Sequence, residues 1–212
     1  MKKRINIINK ILIFIFLTLF GTWISVLNNN AVSIMSIDGK NFDKAIEGAP
    51  EITDGDTIKI GNQSIRLIYI DAPEKKQTCF NENNYEYLCG EKSKEFLINL
   101  IKNRNVICHY NSTDIYNRIL GICFIDNISI NEEMIKNGMA ILYNKSSSSE
   151  KYIFLEEEAK KSKNGLWSGQ FLSPQEFRKA NRYKNRKKIE QINDVVLDDE
   201  INNEDQKFNN ND

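Results

Sequence analysis

The clearest alternation of apolar and polar positions runs from Thr57 to Ile70. Thr57 to Ile60 reads as a strand, Gly61-Asn62 as a turn pair, and Ser64 to Ile70 as a second strand with residues 66, 68 and 70 on one face. Helical spacing takes over from Glu91 to Ile101, where Leu97, Leu100 and Ile101 share a face with Phe96 beside them. Val106 to Tyr110 and Ile119 to Ile125 read as an antiparallel pair about the turn Asp114-Ile115-Tyr116-Asn117-Arg118. After Asp126-Asn127, Asn131 is the expected cap of a helix from Glu132 to Lys136, which Asn137-Gly138 ends. Met139 to Tyr143 reads as extended and Ser146 to Ser149 as a loop. A last helix is expected from Glu150 to about Asn164, stopped by Gly165, with Leu166 and Trp167 folding back onto the core.

The two ends differ in character from this middle. Lys2, Lys3 and Arg4 precede an almost wholly apolar run from Ile11 to Leu27, which predicts a signal peptide or a membrane anchor over 1–33 and hence an exported protein. Ala31-Val32-Ser33 is a weak cleavage site, so cleaved and anchored forms both stay open. Residues 34–50 read as a lead-in, 51–170 as the main domain, 171–190 as a basic helical extension and 191–212 as an acidic, asparagine-rich disordered tail. The extension carries Arg178, Lys179, Arg182, Lys184, Arg186, Lys187 and Lys188. It is read as a solvated tail, with nucleic acid or an anionic membrane surface as the alternative partners.

Composition narrows the chemistry. The chain has 212 residues and a formal net charge of zero, so it is not globally basic, and the main domain is slightly acidic. An enzyme acting on nucleic acid needs only local positive potential, so this excludes nothing. With one histidine, His109, and no nucleophile turn beside it, a serine-histidine triad and a conventional zinc site are poorly supplied. Export would permit disulfides. Cys79 and Cys89 bracket a polar insert and could close a short loop, while Cys108 and Cys123 lie on two strands and could face each other.

The densest chemistry lies in Asp54-Gly55-Asp56-Thr57, Arg66 and Asp71-Ala72-Pro73-Glu74. If the two strands pair as a hairpin, Asp56 at the start of one lies near Asp71 at the end of the other. Two carboxylates so placed suggest a hard cation, calcium or magnesium. Asp54 reads as a turn former. Arg66 stands out within an apolar strand.

In order and spacing, D-G-D-T, the strand arginine, D-A-P-E, Tyr116-Asn117-Arg118 and the closing Gly165-Leu166-Trp167-Ser168 together resemble the thermonuclease, or staphylococcal nuclease-like, family over roughly Glu51 to Gly169. The resemblance implies an α+β, mainly β fold, a five-stranded OB-like barrel with three helices, which the run of short strands followed by helices fits independently. It also implies a monomer acting on DNA and RNA through the phosphate backbone, by calcium-dependent hydrolysis that leaves 3′-phosphate ends. Asp56, Asp71 and the backbone carbonyl of Ala72 would bind Ca2+. Glu74 would act on the attacking water, as general base or as its positioner, and Arg66 and Arg118 would fork onto phosphate oxygens. Tyr116 would hydrogen-bond a phosphate or pack.

Two departures weigh on this reading. Asn117 stands where the family has glycine, and Ile115 where a lysine is familiar, which removes a positive charge near substrate. The competing functions are a nuclease-like module that binds nucleic acid or a protein partner without cutting, and an extracellular domain using calcium only to stabilise loops. The presence of all five charged site residues favours the enzyme.

Overall fold

The computed structural model describes residues 35–37, 40–144 and 149–189. Contacts divide the chain into two units, Met1–Lys44 and Ala45–Asp212. In the first, β1 (Met35–Ile37) and β2 (Lys40–Phe42) pair as an antiparallel ribbon. The second carries everything that builds the site.

Its sheet is assembled from β3 (Lys44–Gly48), β4 (Pro50–Ile52), β5 (Thr57–Ile60), β6 (Gln63–Leu67), β10 (Val106–Thr113) and β11 (Ile119–Ile125), in the spatial order β3-β10-β11-β6-β5-β4. The β5–β6 hairpin closes on Gly61, whose φ of 56° suits the first central position of a two-residue hairpin turn. β6 and β11 run parallel, with Arg66 beside Leu120, and every other pairing on the path is antiparallel or joins the edge strand β3. Ala49 alone separates β3 from β4, the two ends of the path, so the sheet curls until its edges are neighbours in the chain. β12 (Ile128–Ser129) hangs on β11. The remaining short strands pair outside this sheet: β7 (Ile70–Asp71) with β13 (Ile141–Leu142), and β8 (Thr78–Phe80) with β9 (Glu86–Leu88).

Four helices accompany these strands among the described residues: α1 (Cys89–Ile101), α2 (Ile130–Lys136), α3 (Glu150–Lys161) and α4, residues 174–189. The sheet curls around a core of Ile58, Ile65, Leu67, Val106, Cys108, Cys123 and Ile125, closed by Leu97 of α1, Met134 and Ile135 of α2 and Tyr152 of α3. The result is an OB-like α+β fold, with a six-strand open path and a fourth helix in place of the expected five strands and three helices. The difference comes from the two ends of the main domain. Short β-forming stretches in the lead-in extend the sheet, and a basic segment beyond 170 continues as helix.

Two local expectations are corrected. The strand expected through Ile70 stops at Leu67. Tyr69 takes a left-handed φ of 70°, and the chain re-enters a separate ribbon at Ile70, which is buried rather than on the face of Arg66. The helix cap at 131 is also displaced. The Ser129 hydroxyl accepts the Glu132 amide at 3.3 Å, whereas Asn131 is fully buried and cross-links the Cys123 amide to the carbonyls of Ile68 and Gly121. Asn131 thus fixes the turn that delivers Asp71.

Disulfides join Cys79 to Cys89 and Cys108 to Cys123. Among the described residues no helix is long and apolar enough to cross a membrane, and α4 is strongly basic. The transmembrane and membrane-anchoring expectations are corrected on that finding. The stretch 1–33 on which they were placed, and the tail 191–212, lie outside the described residues.

Candidate active site

The turn before β5 sets the first acid. The Asp54 carboxylate accepts the Asp56 amide at 3.1 Å, a side-chain turn of the kind aspartate favours, and the Asp56 carbonyl accepts the Leu67 amide at 2.9 Å. Asp56 is thereby fastened to the far end of β6, opposite the start of the hairpin. Its Oδ2 accepts the Ala72 amide at 2.8 Å, which ties the first acid to the D-A-P-E segment. Asp71 is held in β7 opposite Ile141. Both aspartates are buried, at 2% and 3% exposure.

Arg66 joins them. Its Nη1 donates to Asp56 Oδ1, and its Nη2 donates to Asp71 Oδ1 at 2.9 Å. The two carboxylates therefore lie one guanidinium width apart. Burial pushes the Asp56 carboxyl up to about 7; Arg66 opposes this and the neighbouring Asp54 charge adds to it.

Glu74 sits at the mouth on a tight turn in which its carbonyl accepts the Gln77 amide at 2.7 Å. Two devices hold that turn. The Gln77 side chain, fully buried, accepts the Glu74 amide at 3.2 Å and donates to the Leu172 carbonyl at 2.7 Å. Gly90, next to the Cys79–Cys89 bridge at the start of α1, packs so closely that a Cβ there would fall 1.9 Å from the Glu74 carbonyl oxygen.

A second guanidinium enters from α4. Arg178 donates to Asp71 Oδ1 at 3.1 Å, to Asp71 Oδ2 at 2.9 Å and to Glu74 Oε1 at 2.7 Å. Those hydrogen bonds raise its pKa above that of an ordinary arginine. Sequence reasoning missed both Arg178 and Gln77. Arg178 was one of seven bases in a segment read as solvated, and only the docking of α4 distinguishes it. Gln77 belongs to no motif.

Arg118 stands apart from the acids. Its Nε donates to Asp114 Oδ2 at 2.8 Å, and its own amide donates to Asp114 Oδ1 at 2.9 Å. Partial burial pushes Asp114 upward, but the hydrogen bonds from Arg118 and the Tyr116 amide prevail and hold its carboxyl below the usual range. Leu120 lies beside Arg66, and Arg118 stands two residues earlier in the chain, in the turn just before β11. Asn117 takes a φ of 65° in this turn. Ile115 and Tyr116 are exposed, at 91% and 74%, and Arg118 lies over the Tyr116 ring at 5.6 Å.

Among the described residues no group of three or more His, Cys, Asp or Glu side chains is gathered to hold a metal ion. The Asp56–Asp71 pair nevertheless fits a hard cation. Its donors are carboxylate oxygens only, they are buried together, and they already face cationic groups.

Comparison with known proteins agrees with the geometry. The family model described as staphylococcal nuclease homologue matches residues 64–169. The chain is 32% identical over 127 residues to the succinoglycan biosynthesis protein ExoI of Rhizobium meliloti, covering 59% of this chain and 66% of that protein, just under two thirds of its length. It is 35% identical over 138 residues to an uncharacterized endonuclease of Haemophilus influenzae, covering 62% of this chain and 72% of that protein. With an uncharacterized endonuclease of Escherichia coli it shares 34% identity over 122 residues, 55% of this chain and 73% of the other. Arg178 lies beyond the matched region.

Proposed function

Because this chain belongs to the staphylococcal nuclease homologue family, we propose that it is a calcium-dependent phosphodiesterase that hydrolyses DNA and RNA and leaves 3′-phosphate ends. The observation that carries the reading is the joining of Asp56, Asp71 and Glu74 through Arg66 and Arg178 in one cluster of ion pairs.

Phosphodiester cleavage requires a neutralised phosphate, an activated water and a stabilised pentavalent phosphorus. Asp56, Asp71 and the Ala72 carbonyl would hold the calcium ion, which when bound supplies Lewis-acid charge to the phosphate. Glu74, half-exposed at the mouth, takes or orients the proton of the attacking water. Arg66 turns its guanidinium from the aspartates to two phosphate oxygens, where planar, permanently charged donors suit the transition state. Arg118 leaves Asp114 to reach the same phosphate, and Tyr116 contacts the strand beside it. The attack displaces the 5′ oxygen. Recognition is of backbone and unstacked bases. The two disulfides suit an oxidising compartment, so we place the working protein outside the cytosol.

A second reading is favoured by one observation. Arg178 engages both Asp71 and Glu74, which suits a nuclease-like module that binds nucleic acid or a protein partner without cutting. Hydrolysis of single-stranded DNA and of RNA, with calcium and with chelator, separates the two. The enzyme reading expects calcium-dependent cutting, lowered on the order of a hundredfold or more in Glu74→Gln and in Arg66→Ala. Folded, calcium-loaded protein that cuts neither polymer would leave the binding module.

A further inference from the structure

Helix α4 builds a groove onto the site. A cavity of about 650 Å3 begins at Glu74 and runs between Lys75 and Lys76 on one wall and α4 on the other. Arg178, Asn181, Arg182 and Asn185 line it from α4 at helical spacings of three, four and seven, which put them on one face. From 178 to 185 that face extends about 10 Å. Arg178 pairs with Asp71 and Glu74 where the groove meets the site. Lys75, Lys76 and Arg182 are exposed, and among the described residues none of the three makes an ion pair. The single carboxylate of the lining, Glu74, is already paired.

The wall is held in register with the site, not merely near it. The Gln77 amide clasps the Leu172 carbonyl, and Phe80 and Gln170 exchange backbone hydrogen bonds at 2.8 and 2.9 Å. The chain entering α4 is therefore fixed to the same loop that carries Glu74.

We infer that this groove is a polynucleotide subsite, which binds the single strand running on from the phosphate under attack. The inference rests on the nuclease reading of the acid–arginine cluster and names where its polymeric substrate continues. Lys75, Lys76 and Arg182 meet successive phosphates, and the amides of Asn181 and Asn185 hydrogen-bond sugar or base edges. A strand is the matching occupant because the groove is open, positively charged, carries amide donors and acceptors, and starts at the proposed reacting centre. Lys75 and Lys76 lie inside the family match, whereas Arg178, Asn181, Arg182 and Asn185 lie beyond it, so the α4 wall is what this chain adds to the matched region.

The test compares a long and a minimal substrate. Full-length protein and its Lys76→Gln, Arg182→Gln double variant are assayed with dodecathymidylate and with the dinucleotide TpT. The groove predicts that the ratio of kcat/KM for the 12-mer over TpT falls about tenfold, the factor expected for roughly 1.4 kcal/mol of lost binding. A global folding defect would lower both substrates and leave the ratio alone. Hydrolysis retained with an unchanged ratio would overturn the subsite while leaving the nuclease standing. If the parent cuts neither substrate, the nuclease reading fails and fluorescence anisotropy of the uncut 12-mer decides the groove. The slope of log K against log salt should then flatten by about 1.4 in the double variant, about 0.7 for each lost cation. An unchanged slope would overturn the proposal there.

Discussion

Replacing Gln77 by methionine isolates the clasp between the Glu74 turn and the entry to α4. The side chain is fully buried, and methionine keeps its length and volume while removing both hydrogen bonds. Each bond is neutral, worth about 1 kcal/mol net, and stranding its partner costs about 1–3 kcal/mol when that partner stays dry. Both hydrogen bonds are only partly buried, so the freed carbonyl and amide reach water, and the loss stays near about 2 kcal/mol in total. For a chain of this size that lowers Tm by about 4–8 °C. Circular dichroism melts measure the first effect. Hydrogen exchange measures the second, faster exchange across residues 174–189 with little change in the sheet. A variant that melts within about a degree of the parent, with α4 amides equally protected, would refute the claim that Gln77 holds the helix to the site.

Other consequences follow from the same contacts. Replacing Cys108 and Cys123 together by alanine opens a cross-link with a sequence separation of 15 and should cost about 3 kcal/mol, read as a lower denaturant midpoint in the non-reduced protein. Gly90→Ala drives a Cβ into the Glu74 carbonyl, so the fold should survive by circular dichroism while hydrolysis drops on the order of tenfold or more, through displacement of Glu74. The Asp114 carboxyl is held below its usual range, so its contribution to loop order is complete above the ordinary aspartate pKa and is lost as pH falls through the depressed value. A pH titration of the Arg118 Nε–H resonance should show release only in acid, and release near neutrality would contradict the pairing.

How far the sequence foretold this molecule depends on the range of the interaction. The β5–β6 hairpin was legible because Gly61-Asn62 is a local turn signal, and the β10–β11 pair because alternation flanks the Asp114–Arg118 turn. Helix α1 starts at Cys89, two residues before the expected Glu91, since Gly90 packs on the Glu74 backbone rather than marking a loop. The short strands β3 and β4 escaped notice because each is only a few residues long and gains its meaning from joining the two edges of the sheet. In the site, Asp56, Arg66 and Asp71 could be gathered by hairpin logic. Arg178 could not, since it reaches Asp71 across 107 residues of sequence and local pattern cannot separate it from its basic neighbours. The sequence reading also did not foresee the ion pair that Arg118 makes with Asp114 inside its own turn.

The most direct measurement of the central claim is the chemistry of the ends. A 5′-labelled single-stranded oligonucleotide, cut by the full-length chain in calcium, is treated with a phosphatase that removes only 3′-phosphates and resolved at single-nucleotide spacing. The account predicts that every product band shifts on treatment and that chelator abolishes the products. Products with free 3′-hydroxyls, or cutting that persists undiminished in chelator, would contradict it.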